Sequence, residues 1–580
     1  MTAMGLPGIQ HLHTYFLFPF SVDRAVVGRN HKEIWSHHSH WIDGLDHWIG
    51  VHDGSEVGSA LVQHLGPWKR AAYKRFEMNG PAYQDMVFFH PFVRRVFFDT
   101  GEEAVDAETN ESLLRTYTIP IPAGQRLCFE ADEATGRRTA TDITDLRLFL
   151  FANGIGILSI GVEARDIAAR DALWINESLR KVYPSSSRQI REGRIPSRFA
   201  LSIDHDGVSQ TIVEERFECC SMTGFLPPLS KIITSLIYFA NYARGEFEPV
   251  LDERMLVYTY FALDPATLPE GFVASEEYQV LLSRFLYIDR AGPSYRYDPK
   301  FTRRLMRSQM YRRWAHQGTW YGFTSYSNIT GVIGTFDCDE HKLGEGFLVH
   351  RMFDTRYYLM AIVALFYRAT LLSFAERAAL VSKGLYLDQD DGRLTPENIA
   401  TANALRAEFL HFSNYWHFDE LANKDEEVEH FAMQCRQYRI TSMKNSIESE
   451  LEKLDGSLQT YNQMRNTEAV NRVAMLSMIL GAGAVLTGFF GMNFGREFAS
   501  IFFDPKEGSA LAHYIAVSVV GLLAFSALAF GVWVVAANWI DYRDILRPRL
   551  PRWKKQRTAQ AGRGRRLTLW KLREPDPGPR

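Results

Sequence analysis

The stretch GFFGMNFG, from Gly488 to Gly495, is the first place in the chain where residue types and spacing suggest a chemistry. It follows the apolar run VAMLSMILGAGAVLT and sets one amide, Asn493, among glycines. Amide oxygens are neutral ligands that can hold a hydrated Mg²⁺ through its water shell, because Mg²⁺ gives up water reluctantly. Gly491 would let the backbone turn at a helix end. The alternative is that Asn493 is a simple helix-ending turn residue.

Two charge-free segments, residues 473–490 and 513–540, are long enough to cross a membrane. The first would cover about 27 Å as a helix, which is close to the hydrocarbon thickness of a bilayer. The second carries Trp533 and Trp539 toward one end, where an interfacial aromatic belt would place them. We predict two transmembrane helices, with a buried helical hairpin as the alternative. A third apolar segment, 357–374, contains Arg368 and is predicted to be a core helix.

The charge distribution around these spans predicts their orientation. The tail, residues 541–580, is strongly basic, whereas the link between the spans, residues 491–512, carries both signs of charge. By the positive-inside rule both termini are cytoplasmic and the link lies outside, so we expect a multi-pass protein of the cell (inner or plasma) membrane. The basic tail is expected to contact anionic lipid rather than nucleic acid.

Composition sets limits on the remaining function classes. The chain has 580 residues, a net charge of -3 and 46% hydrophobic residues, which indicates several folded domains rather than disorder or a polycation. Its 5 cysteines are odd in number and lack CxxC spacing, which favours a reducing compartment. We find no GxSxG, Walker A, HExxH or GxGxxG pattern, so we do not expect an enzyme.

The large N-terminal region, residues 1–394, is predicted to be a mixed α/β domain. Strand-like runs include VFFHPFVRRVFF from Val87, LRTYTIPI and QRLCFEA, and further strand signals occur at 255–263 and 321–334. Asn153 and Gly154 separate two β-rich runs within 146–163 and predict a hairpin. The following segment, IAARDALWINESLRKVYP, has the pattern of a helix.

Residues 395–472 are predicted to form a long helical stalk that runs into the first span as one rod. Thr395 is a candidate N-cap and Pro396 the first helical residue. A heptad-like apolar stripe follows at Ile447, Leu451, Leu454, Leu458 and Tyr461. An exposed stripe of this kind needs neighbours, which a symmetric oligomer would supply.

Together, a cytosolic α/β domain, a stalk helix, two C-terminal spans and the tripeptide Gly491-Met492-Asn493 resemble the CorA-type magnesium transporters. That two-span GxN superfamily includes the ZntB-type zinc transporters, and the resemblance is strongest over residues 395–555. It implies a homopentamer whose first spans line a pore, with a ring of Asn493 side chains at the outer mouth as the selectivity motif. The expected function is transport of divalent cations, Mg²⁺ first and Co²⁺ or Ni²⁺ next. The alternatives are a ZntB-like zinc transporter, or a membrane-anchored sensor or enzyme without transport.

The segment after the motif departs from the magnesium pattern. Many magnesium transporters of this family continue with an acidic segment, whereas this chain reads FGREFASIFFDP. The identity of the cation therefore stays open at this point.

The candidate pore-lining positions follow one another at helical spacings of three and four residues on the helix that leads to Asn493, and all of them are uncharged: Val470, Val473, Ser477, Gly481 and Ala484. Small residues at these positions fit close helix packing equally well.

The resemblance also implies that divalent ions bound by cytosolic carboxylates regulate the pore, with no permanently bound cofactor. Candidate metal-sensing residues are Asp425, Glu426, Glu427 and Glu429, with a second acidic set at Glu448, Glu450, Glu452 and Asp455. Solvated helix faces are the alternative. Candidate members of a basic ring at the inner mouth are Arg552, Lys554, Lys555 and Arg557.

The N-terminal region is rich in histidine, at His11, His13, His31, His37, His38, His40, His47 and His52. The HHSH sequence, with Asp43, Asp46 and Asp53 nearby, could bind zinc or nickel. Tryptophans are interleaved with these histidines, which favours a packed aromatic surface with incidental imidazoles.

Overall fold

The computed structural model describes most of the chain up to residue 491. The described residues are 6–22, 49, 60–71, 87–99, 113–122, 124–183, 187–205, 208–217, 228–251, 254–292, 295–336, 338–339, 342–390, 394–491 and separate positions between 511 and 533. The chain divides into two compact units, Met1–Asp455 and Gly456–Arg580.

The first unit is built on a mixed sheet of 13 strands. The strands of the whole described chain are β1 Gly8–Val22, β2 Lys69–Arg70, β3 Leu114–Thr118, β4 Gln125–Asp132, β5 Arg138–Phe151, β6 Ile155–Ala168, β7 Arg198–His205, β8 Val208–Arg216, β9 Phe247–Pro249, β10 Leu256–Leu263, β11 Met310–Tyr311, β12 Thr319–Phe323, β13 Ser327–Ile333, β14 Cys338–Asp339 and β15 Lys342–Leu343. The main path through the sheet is β11-β12-β13-β10-β1-β6-β5-β4-β7-β8. The pairing of β10 with β13 is parallel, and the other pairs of this path are antiparallel.

Strand β1 lies in the middle of this sheet although it contains Pro19. Proline cannot donate a ladder hydrogen bond and is normally confined to edges. Here β1 pairs with β10 up to Leu17 and with β9 from Phe20 onward, so Pro19 falls where the neighbouring strand changes. Its carbonyl still accepts from the amide of Val250 at 3.0 Å.

The hairpin predicted at Asn153 and Gly154 is confirmed: β5 and β6 pair antiparallel across it. Gly154 has φ of 91°, a conformation that glycine adopts without the strain of a side chain. The Asn153 side chain accepts from the amide of Ile155 at 3.2 Å and donates to Thr370 at 2.9 Å. The turn is therefore held locally and also tied to a distant helix.

The helices flank this sheet and extend beyond it. They are α1 Ala60–Leu65, α2 Pro91–Phe97, α3 Ala169–Leu179, α4 Ser187–Arg191, α5 Lys231–Leu236, α6 Glu276–Tyr287, α7 Pro299–Ser308, α8 Glu345–Met352, α9 Tyr358–Asp390, α10 Pro396–His411, α11 Asp425–Gln437 and α12 Ile440–Gly491. One turn of π-helix, Phe353–Tyr357, joins α8 to α9, and another, Phe412–Trp416, extends α10.

Alternation along β1 places helices on both faces of the sheet centre. Thr14 hydrogen-bonds to Asn176 of α3 at 2.8 Å, whereas the Tyr15 ring lies 4.3 Å from that of Tyr358 on α9. Successive side chains of a strand point to opposite faces. Helix α3 therefore covers one face of β1, and α8 and α9 cover the other.

The prediction of a strand at VFFHPFVRRVFF is wrong, because residues 91–97 form α2. Pro91 occupies the start of the helix, where its fixed φ is favourable and its missing N–H would be unsatisfied in any case. Val93, Val96 and Phe97 are buried at helical spacing, so tertiary packing overrides the β-forming composition of the run.

Helix α9 contains the apolar segment predicted to be a core helix. Among the described residues, the helical stretch Glu345–Tyr386 is long and apolar enough to cross a membrane by length and composition, and 78% of its most apolar window is buried inside the protein. Ala361 to Tyr367 are each 1% exposed or less. This burial is what a core helix requires.

The stalk differs from the single rod predicted from residue 395. Thr395 does cap α10, accepting from the Asn398 amide at 3.3 Å, and Pro396 follows as the first helical residue. The chain then leaves the helix after Trp416, and again at Arg439, which has φ of 59°. A left-handed residue cannot continue a right-handed helix, so the long rod begins only at Ile440.

The apolar stripe of the stalk has neighbours within the same chain. Ile447 and Leu451 belong to the core of the α/β domain, and Leu454 packs against that core. The stripe is therefore no argument for an oligomer, which stays a prediction from the resemblance alone. Beyond it, α12 continues to Gly491, and the positions described between 511 and 533 are helical.

Candidate functional site

The predicted selectivity motif is described only at its first residue. Gly491 is helical in α12, whereas Met492 and Asn493 lie outside the described residues. Most of the second span, the outer link and the whole basic tail also lie outside, including Arg552, Lys554, Lys555 and Arg557. The Asn493 ring and the basic inner ring therefore stay predictions.

The candidate pore-lining residues share one face of α12. Val470, Val473, Ser477, Gly481 and Ala484 are all helical and all exposed in the single chain, with Val470 at 66% and Val473 at 64%. Within the described part of the chain, a Cβ added at Gly481 would meet no atom within 4 Å. Exposure at these positions is compatible with a neighbouring helix or with an aqueous path.

The first acidic set lies at the start of α11. Asp425, Glu426 and Glu427 occupy its first turn, where negative side chains interact favourably with the helix dipole. Glu427 is only 3% exposed, and burial raises the pKa of its carboxyl group. Interaction with the helix dipole accounts for part of this acidic cluster.

Two carboxylates of α11 are engaged within the domain. Glu426 accepts from the Tyr357 hydroxyl at 3.1 Å, and Glu429 accepts from the Tyr311 hydroxyl at 2.6 Å. The Arg313 guanidinium lies 3.5 Å from the same Glu429 oxygen. The side chains therefore point to separate partners, and their sensing role stays a prediction.

The second acidic set is spread along α12. Glu448, Glu450 and Glu452 are exposed, whereas Asp455 accepts from Arg406 of α10 at 2.6 Å.

One group of three metal-ligating side chains stands out among the described residues: His11, Glu163 and His350, whose ligand atoms all lie within 4.8 Å of one another. His11 and His13 are two residues apart on β1 and so face the same side of the sheet. Glu163 lies directly opposite His13 on β6. His350, from α8, covers this side.

We call His11, His13, Glu163 and His350 the histidine cluster. The contacts within this cluster are short. His11 Nε2 lies 3.1 Å from Glu163 Oε2, and His13 Nδ1 lies 3.7 Å from Glu163 Oε1. His13 Nδ1 is also 2.8 Å from His350 Nε2, so one of these nitrogens donates to the other. Three imidazoles and one carboxylate thus converge on one small volume.

The charge states in the histidine cluster follow from burial and proximity. Burial lowers the pKa of His13 well below its ordinary value, and burial with the neighbouring His11 lowers the pKa of His350 to about 4. For Glu163, burial opposes ionisation, but the hydrogen bond with His11 and the nearby imidazoles outweigh it and lower the pKa to about 2. At neutral pH the cluster holds a carboxylate, and the rings of His13 and His350 are neutral.

Aromatic rings enclose the histidine cluster. The Phe336 ring lies 4.1 Å from that of His11, and the Phe353 ring 5.6 Å from that of His13. Tyr260 lies against the cluster and donates its hydroxyl to a backbone carbonyl of α8 at 2.7 Å. His11 Nδ1 and His13 Nε2 are buried and have no hydrogen-bond partner among the described residues.

A cavity of about 510 Å³ lies near the histidine cluster, and Asp145, Arg147, Asp354 and Tyr358 are among its lining residues. Arg147 pairs with Asp145 at 2.5 Å, and its guanidinium lies 5.2 Å from the Tyr358 ring centre. Tyr15 donates to Asp354, and its ring is 4.6 Å from that of His13. Tyr15 therefore contacts both a lining residue of the cavity and the histidine cluster.

Sequence reasoning found only part of the histidine cluster. His11 and His13 belong to the histidine-rich N-terminal region. The HHSH segment of that region, which is the candidate zinc or nickel site, lies outside the described residues. Glu163 is 152 positions from His11, and His350 is 337 positions from His13. No local motif connects them; the one available signal was the period-two spacing of His11 and His13 in a strand-forming run.

Comparison with known proteins gives no match: no family model, no curated protein and no solved structure matches the chain. The resemblance to CorA-type transporters therefore rests on the motif, the spans and the stalk alone.

Proposed function

We propose that the protein moves divalent metal cations across a membrane, through a pore lined by α12 with a ring of Asn493 side chains at its outer mouth. Mg²⁺ is the first candidate, and Co²⁺ or Ni²⁺ are the next. The observation that carries this proposal is that α12 is one unbroken helix from Ile440 through the predicted first span to Gly491, the first residue of the GMN motif.

The dimensions of α12 support the proposal. Its 52 residues make a helix about 78 Å long, far more than the approximately 30 Å of the hydrocarbon core. Its first turns pack in the α/β domain, and Leu476, Met478 and Leu480 farther on are 58–65% exposed. Apolar side chains in such a position are stable in lipid or against other copies of the helix.

An asparagine ring suits a hydrated divalent ion. Mg²⁺ prefers oxygen ligands and keeps several of its waters, which neutral amide groups can hydrogen-bond. A carboxylate ring would hold the ion more tightly and slow its release. Small residues such as Ser477 and Gly481 on the proposed pore face would narrow the path less than large side chains would.

In this proposal the protein is a homopentamer of the cell membrane, with both termini in the cytoplasm and the outer link exposed. The pentamer is part of the proposal because a single α12 encloses no pore. Anionic lipid would contact the basic tail.

A flux assay on the full-length protein in proteoliposomes tests the proposal. We expect Asn493→Ala to lower Mg²⁺ uptake by at least about tenfold, the effect of losing roughly 1.4 kcal/mol at the selectivity ring. Asn471→Ala is the matched control, because Asn471 is an exposed asparagine of α12 that lies before the predicted span and off the proposed pore face. Equal uptake by Asn493→Ala and the wild type would refute the assignment of the ring.

The same assay separates the alternative functions. Mg²⁺, Co²⁺, Ni²⁺ and Zn²⁺ are compared with and without a proton gradient. Zinc uptake that follows the gradient favours a ZntB-like transporter. A wild-type protein that moves none of the four ions refutes transport and favours a membrane-anchored sensor or enzyme.

Cysteine accessibility tests the pore face itself. Ser477→Cys and Gly481→Cys should react with a charged thiol reagent and lose flux, whereas Gly483→Cys, on another side of the helix, should not. The wild type controls for the native cysteines. Modification of Gly483→Cys alone would place the pore on a different face of α12.

A further inference from the structure

We propose that His11, Glu163 and His350 bind one divalent transition-metal ion, of the zinc class, inside the α/β domain. This goes beyond the proposed transport function and does not depend on it. The ion would be a resident of the domain and not the transported cargo.

The geometry is close to that of a zinc site. Two imidazoles and one carboxylate form one of the ligand sets that zinc uses when it keeps a position open. Ligands of a tetrahedral zinc ion, at 2.0–2.1 Å from the metal, lie about 3.3 Å from one another. His11 Nε2 and Glu163 Oε2 are 3.1 Å apart, and the three ligand atoms lie within 4.8 Å of one another. Side-chain shifts of about 1 Å would complete the site.

The donor set selects the class of metal. Imidazole nitrogen suits Zn²⁺, Ni²⁺, Co²⁺ and Cu²⁺, whereas Mg²⁺ prefers six oxygen ligands. With nitrogen from His11 and His350, and a further nitrogen from His13 nearby, the cluster cannot offer Mg²⁺ its preferred shell. A large excess of Mg²⁺ should therefore leave bound zinc in place.

The site is carried by rigid elements. His11 is 1% exposed and Glu163 has a side chain 22% exposed, on the two paired central strands β1 and β6. His13, 3% exposed, hydrogen-bonds to His350 and would hold that imidazole in place.

Hydrogen bonds among the described residues do not satisfy every nitrogen of the histidine cluster. His11 Nδ1 and His13 Nε2 lack partners among the described residues, although buried polar atoms are usually satisfied. Neither atom would ligate the metal, because His11 presents Nε2 to Glu163 and His13 is not one of the three ligands. The proposal therefore rests on the convergence of His11, Glu163 and His350.

The metal would tie α8 to the sheet. His350 lies near the end of α8, and the π-helical turn after it leads directly into α9. Because a ligand that binds only the folded state stabilises it, zinc should raise the thermal midpoint of the domain.

The metal content of the purified full-length protein tests the proposal. The protein is purified with an affinity tag that contains no histidine. The protein in detergent is equilibrated with ZnCl₂, passed through a desalting column and analysed for metal. We expect about one zinc per chain in the wild type, unchanged by excess Mg²⁺, and loss of that zinc in His350→Gln and Glu163→Gln. His316→Gln is the matched control, because His316 is exposed on a short turn.

Co²⁺ provides a measurement that needs no variant. Cobalt in a tetrahedral nitrogen and oxygen site gives strong visible d–d bands, whereas cobalt on exposed carboxylates gives weak ones. Glu163→Gln keeps the size and hydrogen-bonding capacity of the side chain, so a matching circular dichroism spectrum would show that it folds. Wild-type protein that holds no zinc and gives no such cobalt bands refutes the site.

Other outcomes also decide the question. Zinc retained by both His350→Gln and Glu163→Gln refutes the site. Zinc lost by Asn493→Ala but kept by His350→Gln would place the ion at the GMN motif and also refute it. If Asn493→Ala abolishes flux and still holds its zinc, transport and the domain site are shown to be separate, as proposed. A wild type that binds zinc through these ligands but carries no flux would leave the site standing and refute transport.

Discussion

His430 should make the α/β domain less stable as the pH falls below neutrality. The ring is 3% exposed on α11, and it lies 4.6 Å from the ring of Phe323 and 4.6 Å from that of Tyr357. Burial lowers the pKa of His430 to about 3. Its Nδ1 has no hydrogen-bond partner among the described residues. The folded protein therefore keeps this imidazole neutral where an unfolded chain would protonate it.

The sign and size of the effect of His430 on stability follow from the linkage between proton binding and folding. The folded pKa lies below the unfolded value of about 6.5, so the unfolded chain binds more protons between these values and acid favours unfolding. The contribution of His430 is fully present above about pH 6.5 and is lost as the pH falls toward the folded pKa. Between pH 7 and pH 5 the loss is about 2 kcal/mol, and it changes little for any folded pKa below about 4.

Replacement of His430 by phenylalanine isolates this effect. His430→Phe keeps an aromatic ring of similar shape and removes the titrating group. Urea unfolding of the full-length protein in detergent, followed by tryptophan fluorescence, gives the free energy of unfolding at pH 7 and pH 5. We expect the variant to lose about 2 kcal/mol less than the wild type over this interval. Other titrating groups cancel in the comparison.

His316→Phe serves as the control, because His316 is exposed. It should lose the same stability as the wild type between pH 7 and pH 5. If His430→Phe and the wild type lose equal stability over this interval, the imidazole is not held neutral by burial and the reasoning is wrong.

Three further substitutions probe packing and buried charge, each read as a change in the free energy of unfolding in urea. Gly156→Ala should cost about 1–3 kcal/mol, because its Cβ would lie 2.3 Å from a ring carbon of Phe20; no cost would mean that the ring moves freely. Gly456→Ala should instead stabilise α12 by roughly 0.5–1 kcal/mol, because no atom of the described residues lies within 4 Å of the added methyl group; destabilisation would indicate a neighbour at that position. Arg290→Met should cost roughly 3–5 kcal/mol by removing the guanidinium that pairs with Glu177 and Glu133, whose side chains are 5% and 3% exposed; addition of Glu177→Gln should recover part of that loss, and strict additivity would contradict the pairing.

Local signals predicted several elements well. The hairpin at Asn153 and Gly154 depends on a turn whose residues have special backbone preferences, and the start of α10 depends on a cap within three residues of Thr395. These features are encoded by neighbours in sequence. They can therefore be recognised without knowledge of the rest of the fold.

Prediction failed where distant packing decided the outcome. The run around Pro91 has strand composition, but burial of Val93 and Phe97 makes it a helix. The break at Arg439 has no neighbouring proline or glycine that would predict it, because Arg439 itself adopts the left-handed φ of 59°. Propensity is a weak guide when tertiary contacts are strong.

The sequence by itself determined the apolar C-terminal segments, the GMN tripeptide after the first of them, and the alternation that places His11 and His13 on one face of a strand. Only the tertiary structure decided that Glu163 and His350 meet them. A strand's period states which side chains share a face, but not which strand or helix will lie against that face. That choice depends on the packing of the whole sheet, with β6 beside β1 and α8 above them.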